Sequence, residues 1–302
     1  MAFFPSGFAE AISTNRPLCD GRRVKPPAFA YRSVETVAAL LELRRAAGED
    51  AQILAGGQSL MPMINMRIAR PAMLIDINPV MALRYVRPDA GFVEIGAMTR
   101  WRDLEDSAEI AALAPLVAQA LPLIAHPAVR NRGTVGGSLA LADPAAELPA
   151  CVLALGGELL VASADQRRTV PAEGFFRGLY HTALAADEAL LGLRLLAARP
   201  EEHFAIYEIA RRYGDYALAG AAIAHTATGY RIAVFGVAER ACLSSAAAAL
   251  AAADPAASAG AFADALTADI DFVGDHEHPA AMRRQLAGVA VRRALDRIGT
   301  AP

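Results

Sequence analysis

Two glycine-rich segments place the strongest constraint on what this chain can fold into. They read AGGQSL at 55–60 and GTVGGS at 133–138, and the first directly follows an apolar segment, 51–54, typical of a strand. A diphosphate brings negative charge that needs closely approaching donors, and backbone N–H groups without a neighbouring Cβ are the most compact ones. The hydroxyls of Ser59 and Thr134 add further donors. We therefore interpret both segments as loops that bind the diphosphate of one dinucleotide.

Other phosphate-binding classes fit these segments poorly. Neither segment matches G-x-G-x-x-G, and neither carries the lysine of a G-x-x-x-x-G-K-[ST] loop. A Rossmann NAD site and a P-loop NTPase are therefore disfavoured. Each segment taken alone could be an ordinary tight turn, but this alternative is weak for two such segments in one chain.

Composition excludes several functional classes. The 302 residues are 55% apolar and 20% charged with a net charge of −3, and they contain neither a basic stripe nor an acidic tail. This balance predicts a globular protein that binds no nucleic acid. No uninterrupted apolar run reaches the roughly 18 residues of a membrane-spanning helix, so we expect no membrane insertion. Residues 1–24 do not resemble a signal peptide and are expected to form an N-terminal extension.

The cysteines indicate a redox setting and exclude a metal cluster held by this chain alone. Cys19, Cys151 and Cys242 are odd in number, widely spaced and form no C-x-x-C pair. We expect buried, reduced thiols in a cytoplasmic protein and no metal site.

The N-terminal two thirds of the chain mixes helices and short strands. We predict a helix over 33–47, capped by Ser33 and closed by Gly48. Strands are predicted at 51–54, 72–77, 92–95 and 159–162, and a largely helical stretch over 103–125, interrupted by Pro115 and Pro122.

The predicted pattern of secondary structure changes from about residue 200. Strands are predicted at 205–209 and 230–237, two short helices within 246–265, and a final helix over 280–298. Its apolar face is predicted to contain Met282, Leu286, Val289 or Ala290, and Leu295, with five arginines mostly on a solvated face. The predicted fold class is α+β with a lighter C-terminal unit.

Four strings carry a resemblance to a known family. They are AGGQSLMPMINMRIARPAMLIDI (55–77), IGAMTRW (95–101), HPAVRNRGTVGGSLALADPAAELPA (126–150) and RRYGDYALAGAA (211–222). In this order they resemble the FAD-binding medium subunit of molybdenum hydroxylases, the group of carbon monoxide dehydrogenase and xanthine dehydrogenase. The resemblance covers about residues 25–300.

The resemblance implies a fold and its boundaries. It predicts a two-part FAD-binding domain of the vanillyl-alcohol-oxidase (PCMH) type over 25–200, with subdomains of about 25–80 and 81–200. A small C-terminal α+β domain of the carbon monoxide dehydrogenase flavoprotein type would follow over 201–302.

The resemblance also implies which residues bind FAD. The two loops would wrap the diphosphate, Glu147 in the segment that begins at Asp143 would bond sugar hydroxyls, and an apolar residue would pack against the flavin ring. No catalytic residue is implied, and Gln58 stands where covalently flavinylated relatives place a histidine, so binding is expected to be non-covalent. Tyr207 occupies a position where some relatives place a lysine near the flavin, and this chain lacks that basic residue. The cofactor-binding set is Leu54, Ala55, Gly56, Gly57, Gln58, Ser59, Leu60, Ala97, Thr99, Gly133, Thr134, Val135, Gly136, Gly137, Ser138, Asp143, Glu147, Leu190 and Tyr207.

Several residues leave alternatives open. Asp143 and Glu147 could be a general acid and base, although sugar binding and loop capping are favoured because no nucleophile is nearby. Arg211 and Arg212 either pair with Asp215 or lie near the flavin. For the remaining candidates a structural role is favoured over a functional one: His126, His276, His278, Trp101, Phe175, Phe176, Met61, Met63 and Met66.

The implied function is that of an oxidoreductase flavoprotein subunit. A molybdopterin-binding large subunit and an iron–sulfur small subunit with 2Fe–2S clusters would be the partners, in a dimer of heterotrimers. Electrons would pass from the clusters through FAD to an external acceptor. The alternative is a stand-alone FAD-dependent oxidase acting directly on a small substrate. The sequence identifies neither the substrate nor the acceptor.

Overall fold

The computed structural model describes residues 26–299 and confirms the predicted α+β class. The strands form sheets of three, five and four strands and one two-stranded ribbon within these residues. The predicted extension 1–24 lies outside the described residues. No helix between residues 26 and 299 is both long and apolar enough to cross a bilayer.

The first unit, residues 30–76, is a small parallel sheet with two helices. Its strand order is β1-β3-β2, and Ile53 of one strand pairs with Ile75 of the next. Parallel neighbours end at the same edge of a sheet, so the residues after β2 and β3 are adjacent in space. The elements are β1 (Ala30–Ser33), α1 (Val37–Ala47), β2 (Ala51–Leu54), α2 (Leu60–Asn65) and β3 (Met73–Asp76), with a 3₁₀ turn at Gly48–Asp50.

The predicted start of the first helix was wrong. Ser33 belongs to β1, and Thr36 is the N-cap, with its hydroxyl accepting a hydrogen bond from the Ala39 amide at 3.1 Å. Pairing with the buried strand β3 determines the conformation of Ser33, and this competes with local capping. The predicted end at Gly48 (φ 56°) is confirmed.

The second unit, residues 86–196, contains a five-stranded antiparallel sheet of order β4-β5-β10-β6-β7. All eight residues of its helix α8 are buried, which explains the unbroken apolar run near residue 150. The elements are β4 (Val86–Asp89), β5 (Phe92–Gly96), α3 (Trp101–Glu105), α4 (Ala108–Leu113), α5 (Pro115–Ala120), α6 (Pro127–Arg130), α7 (Val135–Leu141), α8 (Glu147–Ala154), β6 (Glu158–Ala162), β7 (Arg167–Pro171), α9 (Ala172–Phe175), β8 (Phe176–Gly178), β9 (His181–Thr182) and β10 (Ala189–Leu196); a 3₁₀ turn, Met81–Leu83, precedes them.

The third unit, residues 203–299, is a four-stranded antiparallel sheet with three helices. The sheet order β11-β12-β13-β14 follows the chain order, so consecutive strands are neighbours. The elements are β11 (His203–Ala210), β12 (Ala217–Thr226), β13 (Gly229–Phe235), β14 (Cys242–Leu243), α10 (Ser245–Ala253), α11 (Ala259–Leu266) and α12 (Ala280–Gly299).

The sheet of the third unit is buried on both faces. Ile206 and Phe235 belong to the same core as the buried residues of the second unit. Their neighbours Ala205 and Val234 belong to a separate core that contains residues of α10, α11 and α12. Because successive strand residues point to opposite faces, the third unit shares one continuous core with the second and has its own core behind it.

The predicted apolar face of α12 was partly wrong. Ala290 and Leu295 are buried, but Met282 is exposed, and small residues such as Gly288 complete the buried face. A Cβ at Gly288 would lie 2.8 Å from the Ala263 amide nitrogen, so close packing on α11 determines which face is buried. Three of the five arginines of α12, Arg283, Arg292 and Arg297, donate to backbone carbonyls of the third unit.

We predict that Gly220→Ala destabilises the chain by about 1–3 kcal/mol, because a Cβ at this position would overlap the Phe235 ring. Gly174→Ala is the matched control, since a Cβ there meets nothing within 4 Å. Urea unfolding monitored by circular dichroism measures both variants. Equal free energies of unfolding for the two would contradict the packing described here.

Candidate functional site

The structure brings the two glycine-rich loops into direct contact. A Cβ at Gly56 would overlap the carbonyl oxygen of Arg132 and lie 2.9 Å from the Gly133 Cα. A Cβ at Gly137 would lie 3.8 Å from the Ala55 Cβ. The backbone of one loop therefore packs on the backbone of the other, and glycine at position 56 is required for this contact.

The first loop provides free backbone donors. Between residues 26 and 299, no backbone carbonyl accepts the amides of Gly56, Gly57, Gln58 and Ser59. Gly57 adopts φ 71°, where a side chain is strained. The loop thus presents successive N–H groups in a conformation that fits an anion.

The second loop differs from the prediction of bare amides. The Val135 amide donates to the Thr99 carbonyl at 3.1 Å, the Gly136 amide to the Ala97 carbonyl at 2.8 Å, and the Gly137 amide to the Thr134 hydroxyl at 3.1 Å. These bonds hold the loop in place and use its donors. The part of the second loop that remains accessible to a ligand is a surface of small residues, in which Gly137 is exposed and Ser138 is half-buried.

Ala97 and Thr99 lie behind the second loop. Besides the backbone bonds to the loop, the Thr99 hydroxyl donates to the Tyr85 carbonyl at 2.9 Å and accepts from the Tyr85 amide at 3.1 Å. A Cβ at Gly136 would lie 2.8 Å from the Ala97 carbonyl oxygen. These two residues therefore support the loop, and Thr99 is 2% exposed.

A polar bridge that sequence reasoning missed connects the two loops. The Asn78 side-chain amide donates to the Ala55 carbonyl at 2.9 Å. The Arg100 guanidinium donates to the Asn78 side-chain oxygen and to the Arg132 carbonyl. Asn78 and Arg100 thus join a carbonyl of the first loop to the residue that precedes the second.

The bridge borders a cleft of about 250 Å³ at the first loop. The first loop lines the cleft together with Asp76, Asn78 and Arg132. The sequence contained a signal for Asp76 and Asn78. The predicted strand 51–54 ends in a glycine loop, and the predicted strand 72–77 ends in an Asp-x-Asn motif. Once these strands are known to be parallel neighbours, both segments must lie at one edge.

Asp143 and Glu147 lie in the turn before α8 and at its first residue. The Asp143 carboxylate accepts a hydrogen bond from the Ala145 amide at 2.9 Å, so it caps this turn, and a 3.5 Å contact joins it to the Tyr180 hydroxyl. Glu147 is 8% exposed, and burial raises its pKa to about 7. The nearby Cys151 thiol is fully buried with a raised pKa, which makes it a poor nucleophile.

Leu190 and Tyr207 are placed differently from each other. Leu190 is buried in the core that also contains Val135 and Leu139 of α7, behind the second loop. Tyr207 packs on the opposite, C-terminal core, and the Arg297 guanidinium lies 4.7 Å from its ring centre. The structure therefore does not bring Tyr207 together with the loops, and the adjacent Glu208 points to the other face of β11.

The RRYGDYA segment at 211–217 packs against residues 122–126, which precede α6. Gly214, with φ 81°, lies against the His126 ring, and the Tyr213 hydroxyl donates to the Pro122 carbonyl. His126 thus has the structural contact that was favoured. Arg211 pairs with Glu277 and not with Asp215.

Trp101, Phe175 and Phe176 are core residues, whereas the methionines that follow the first loop differ in their placement. Trp101 is 3% exposed, and Phe175 packs edge-on against Phe176 at 5.2 Å in the core. Met61 lines the cleft of the first loop, whereas Met66 is exposed. In the part of the chain that the structure describes, no three His, Cys, Asp or Glu side chains are grouped to hold a metal.

Comparison with known proteins assigns a family to this arrangement. Residues 27–195 match the model described as the FAD binding domain in molybdopterin dehydrogenase. The carbon monoxide dehydrogenase medium chain of Hydrogenophaga pseudoflava is 42% identical over 66% of this chain and 69% of its own length. The corresponding chain of Afipia carboxidovorans is 34% identical over 90% of this chain and 97% of its own length. The solved quinoline 2-oxidoreductase of Pseudomonas putida 86 superposes with TM-score 0.84 at 34% identity, covering 91% of this chain and 98% of that one.

We predict that Arg100→Met weakens FAD binding about 10- to 100-fold, because charged hydrogen bonds of about 1.5–3 kcal/mol between the loops are lost. Arg102→Met is the control, since Arg102 lies two residues away, is itself exposed and pairs with Glu105 and Asp106 rather than with either loop. Quenching of FAD fluorescence during titration with apoprotein measures both. Equal affinities for the two variants would refute a role for the bridge.

Proposed function

The chain belongs to the family of FAD binding domains in molybdopterin dehydrogenases, and from this premise we propose that it holds one FAD across the contact of its two glycine-rich loops. It is an oxidoreductase flavoprotein of the molybdenum hydroxylase class. The observation that carries the proposal is the packing of Gly56 on the backbone of Arg132 and Gly133, beside free amides of the first loop.

The described residues fit the chemistry of an FAD diphosphate. The amides of Gly56 to Ser59 are available as donors, and Gly57 has the conformation that orients them. Gly137 is exposed on the facing loop, where a side chain would narrow the approach. Arg132 lines the same cleft and adds positive charge beside the phosphates.

The remaining contacts are proposed for the other end of the cofactor. Glu147 would accept hydrogen bonds from sugar hydroxyls, with the adjacent turn held in shape by Asp143. Leu190 would limit the space beside the flavin, together with Ala97, which supports the second loop from behind. No covalent attachment is proposed, because Gln58 has no nucleophilic atom.

When bound, FAD would supply the redox chemistry that carries electrons from an iron–sulfur partner to an external acceptor. The chain contributes binding, orientation and exclusion of water. Neither a proton-transfer triad nor an activated nucleophile is proposed, since Asp143 caps a turn and the Cys151 thiol is buried.

The proposed partners are a molybdopterin-binding large subunit and an iron–sulfur small subunit, in a dimer of heterotrimers. The names of the relatives support this, because a medium chain is one of several chains. Cys151 and Cys242 are buried free thiols, consistent with clusters that reside in another subunit and with a cytoplasmic location. The proposed domains are 25–200 for FAD and 201–302 for the C-terminal part, and the molybdenum subunit would select the substrate.

We predict that the purified full chain, supplied with excess FAD, retains one flavin per chain with visible absorption bands. Gly57→Val should abolish this binding, because a branched side chain at φ 71° distorts the loop and covers its donors. Absorbance after gel filtration measures the retained flavin.

Gly91→Val provides the control for backbone strain. Gly91 also has positive φ, 89°, but it lies in the β4–β5 turn, where a Cβ would meet nothing within 4 Å. This variant should be less stable yet keep its flavin. A colourless wild-type chain, or flavin loss in both variants alike, would overturn the proposed site.

A further inference from the structure

A carboxylate borders the cleft in which the diphosphate is proposed to bind, and it has no part in the proposed diphosphate contacts. Asp76 is the last residue of β3, in register with Leu54 at the end of β2, and it lines the cleft of the first loop. The Asn78 side chain donates both to the Asp76 carboxylate and to the Ala55 carbonyl. One side chain therefore joins this carboxylate to the loop that carries the free amides.

Hydrogen bonds hold the Asp76 carboxylate in place and keep it charged. Its Oδ1 atom accepts from the Asn78 amide at 2.9 Å and from the Asn78 side chain, and its Oδ2 atom accepts from the Tyr31 hydroxyl. Burial raises the pKa of this carboxyl, but the bonds from Tyr31 and Asn78 and the Arg100 charge outweigh it, so the pKa lies below its ordinary value. The group is thus an acceptor without a proton at neutral pH.

This carboxylate has acceptor capacity that the described residues do not use. An ionised carboxylate offers about four acceptor positions. Asn78 occupies two of them and Tyr31 one, which leaves a position on Oδ2 without a donor in the hydrogen bonds of residues 26–299. Because Asp76 is only half-buried and lines the cleft, a ligand with a suitably placed donor can complete these bonds.

The charge of Asp76 determines which part of a dinucleotide can lie beside it. A diphosphate oxygen has no proton to donate and is repelled by a carboxylate. The diphosphate therefore fits the free amides of Gly56 to Ser59 and the side of Arg132, and the group next to Asp76 must be a donor. In FAD two sugars are joined directly to the diphosphate, the ribitol of the flavin half and the ribose of the adenosine half. A sugar hydroxyl is thus the nearest donor.

The positions of two carboxylates assign one sugar to each. Glu147 and Leu190, the residues proposed for the flavin half, both belong to the second unit, whereas Asp76 belongs to the first. The ribitol therefore belongs with Glu147 and the ribose with Asp76. In doubly wound dinucleotide sites an acidic residue about 20 residues after the glycine loop accepts from a ribose hydroxyl, and Asp76 stands at a similar spacing from the first loop.

We propose that Asp76 accepts a hydrogen bond from the ribose of the adenosine half of FAD, which makes it a specificity-determining residue for a ribonucleotide. The bond adds to the diphosphate contacts without changing them. Asn78 takes part in both the loop bridge and the support of this carboxylate, so the loop and the ribose contact are positioned together. This inference rests on the proposed FAD site.

The experiment compares FAD with two analogues in which adenosine is replaced by 2′-deoxyadenosine or by 3′-deoxyadenosine. Quenching of flavin fluorescence during titration with the full apo chain gives each dissociation constant. Wild type should bind at least one analogue about 10- to 100-fold more weakly than FAD, because a hydrogen bond to a charged group is lost. Asp76→Ala should bind FAD and both analogues within about threefold of one another, because the acceptor is absent.

Further variants separate a direct contact from a change in the loop. Asp76→Asn keeps the shape of the side chain without its charge and should show a smaller preference for FAD than wild type. Tyr31→Phe keeps the carboxylate and should keep the wild-type preference. Asp89→Ala removes an exposed carboxylate in the β4–β5 turn, outside the cleft, and is the matched control. Melting temperatures of the apo chains show whether each variant is folded.

The outcomes distinguish this inference from the proposed function. If wild type binds FAD and both analogues equally well, the FAD site stands and the ribose contact is refuted. An Asp76→Ala variant that keeps the wild-type preference for FAD refutes the contact as well. If wild type binds no FAD, the proposed function fails, and calorimetric titration with ADP and its deoxy analogues still decides whether Asp76 recognises ribose.

Discussion

Contact between two stretches of backbone is the interaction on which the site depends. Gly56 lies so close to Arg132 and Gly133 that no other residue fits, and the neighbouring Gly57 turns the first loop so that its amides are free. Segments far apart in sequence, at 55–60 and 133–138, thereby form one surface. Closing this distance costs chain entropy, which the cores on either side must offset.

The two loops contribute in different ways. Amides of the second loop donate to the carbonyls of Ala97 and Thr99 and to the Thr134 hydroxyl, so the backbone of this loop is held in one conformation. The first loop has the unpaired backbone amides, and the hydrogen bonds of Asn78 and Arg100 fix its position relative to the second loop. A preorganised surface of this kind binds a ligand without ordering its own backbone first, which favours affinity.

The shared core of the second and third units joins the C-terminal sheet to the unit that carries the second loop. Ile206 and Phe235 pack into the same core as the apolar residues of α8, so Glu208, the next residue on that face of β11, faces the second unit.

Much of this could be predicted from the sequence, and the exceptions have physical causes. Local patterns sufficed for both glycine loops, the strands that lead into them and the glycine that ends α1, because backbone conformation at a glycine or a short apolar strand is encoded nearby. Ser33 was misassigned because strand pairing with β3, a distant partner, outweighs a local capping preference. The placement of Tyr207 on the C-terminal core could not be predicted, because strand alternation fixes which residues share a face but not which core each face meets.

The sequence by itself determined the family, the α+β class and the two loops, since each rests on residue types at short spacing. Only the tertiary structure decided which loop keeps its donors, that Asn78 and Arg100 join the loops, and that the third unit shares a core with the second. Those features depend on hydrogen bonds and burial between residues far apart in the chain, and no local pattern encodes which distant partner satisfies a given polar group.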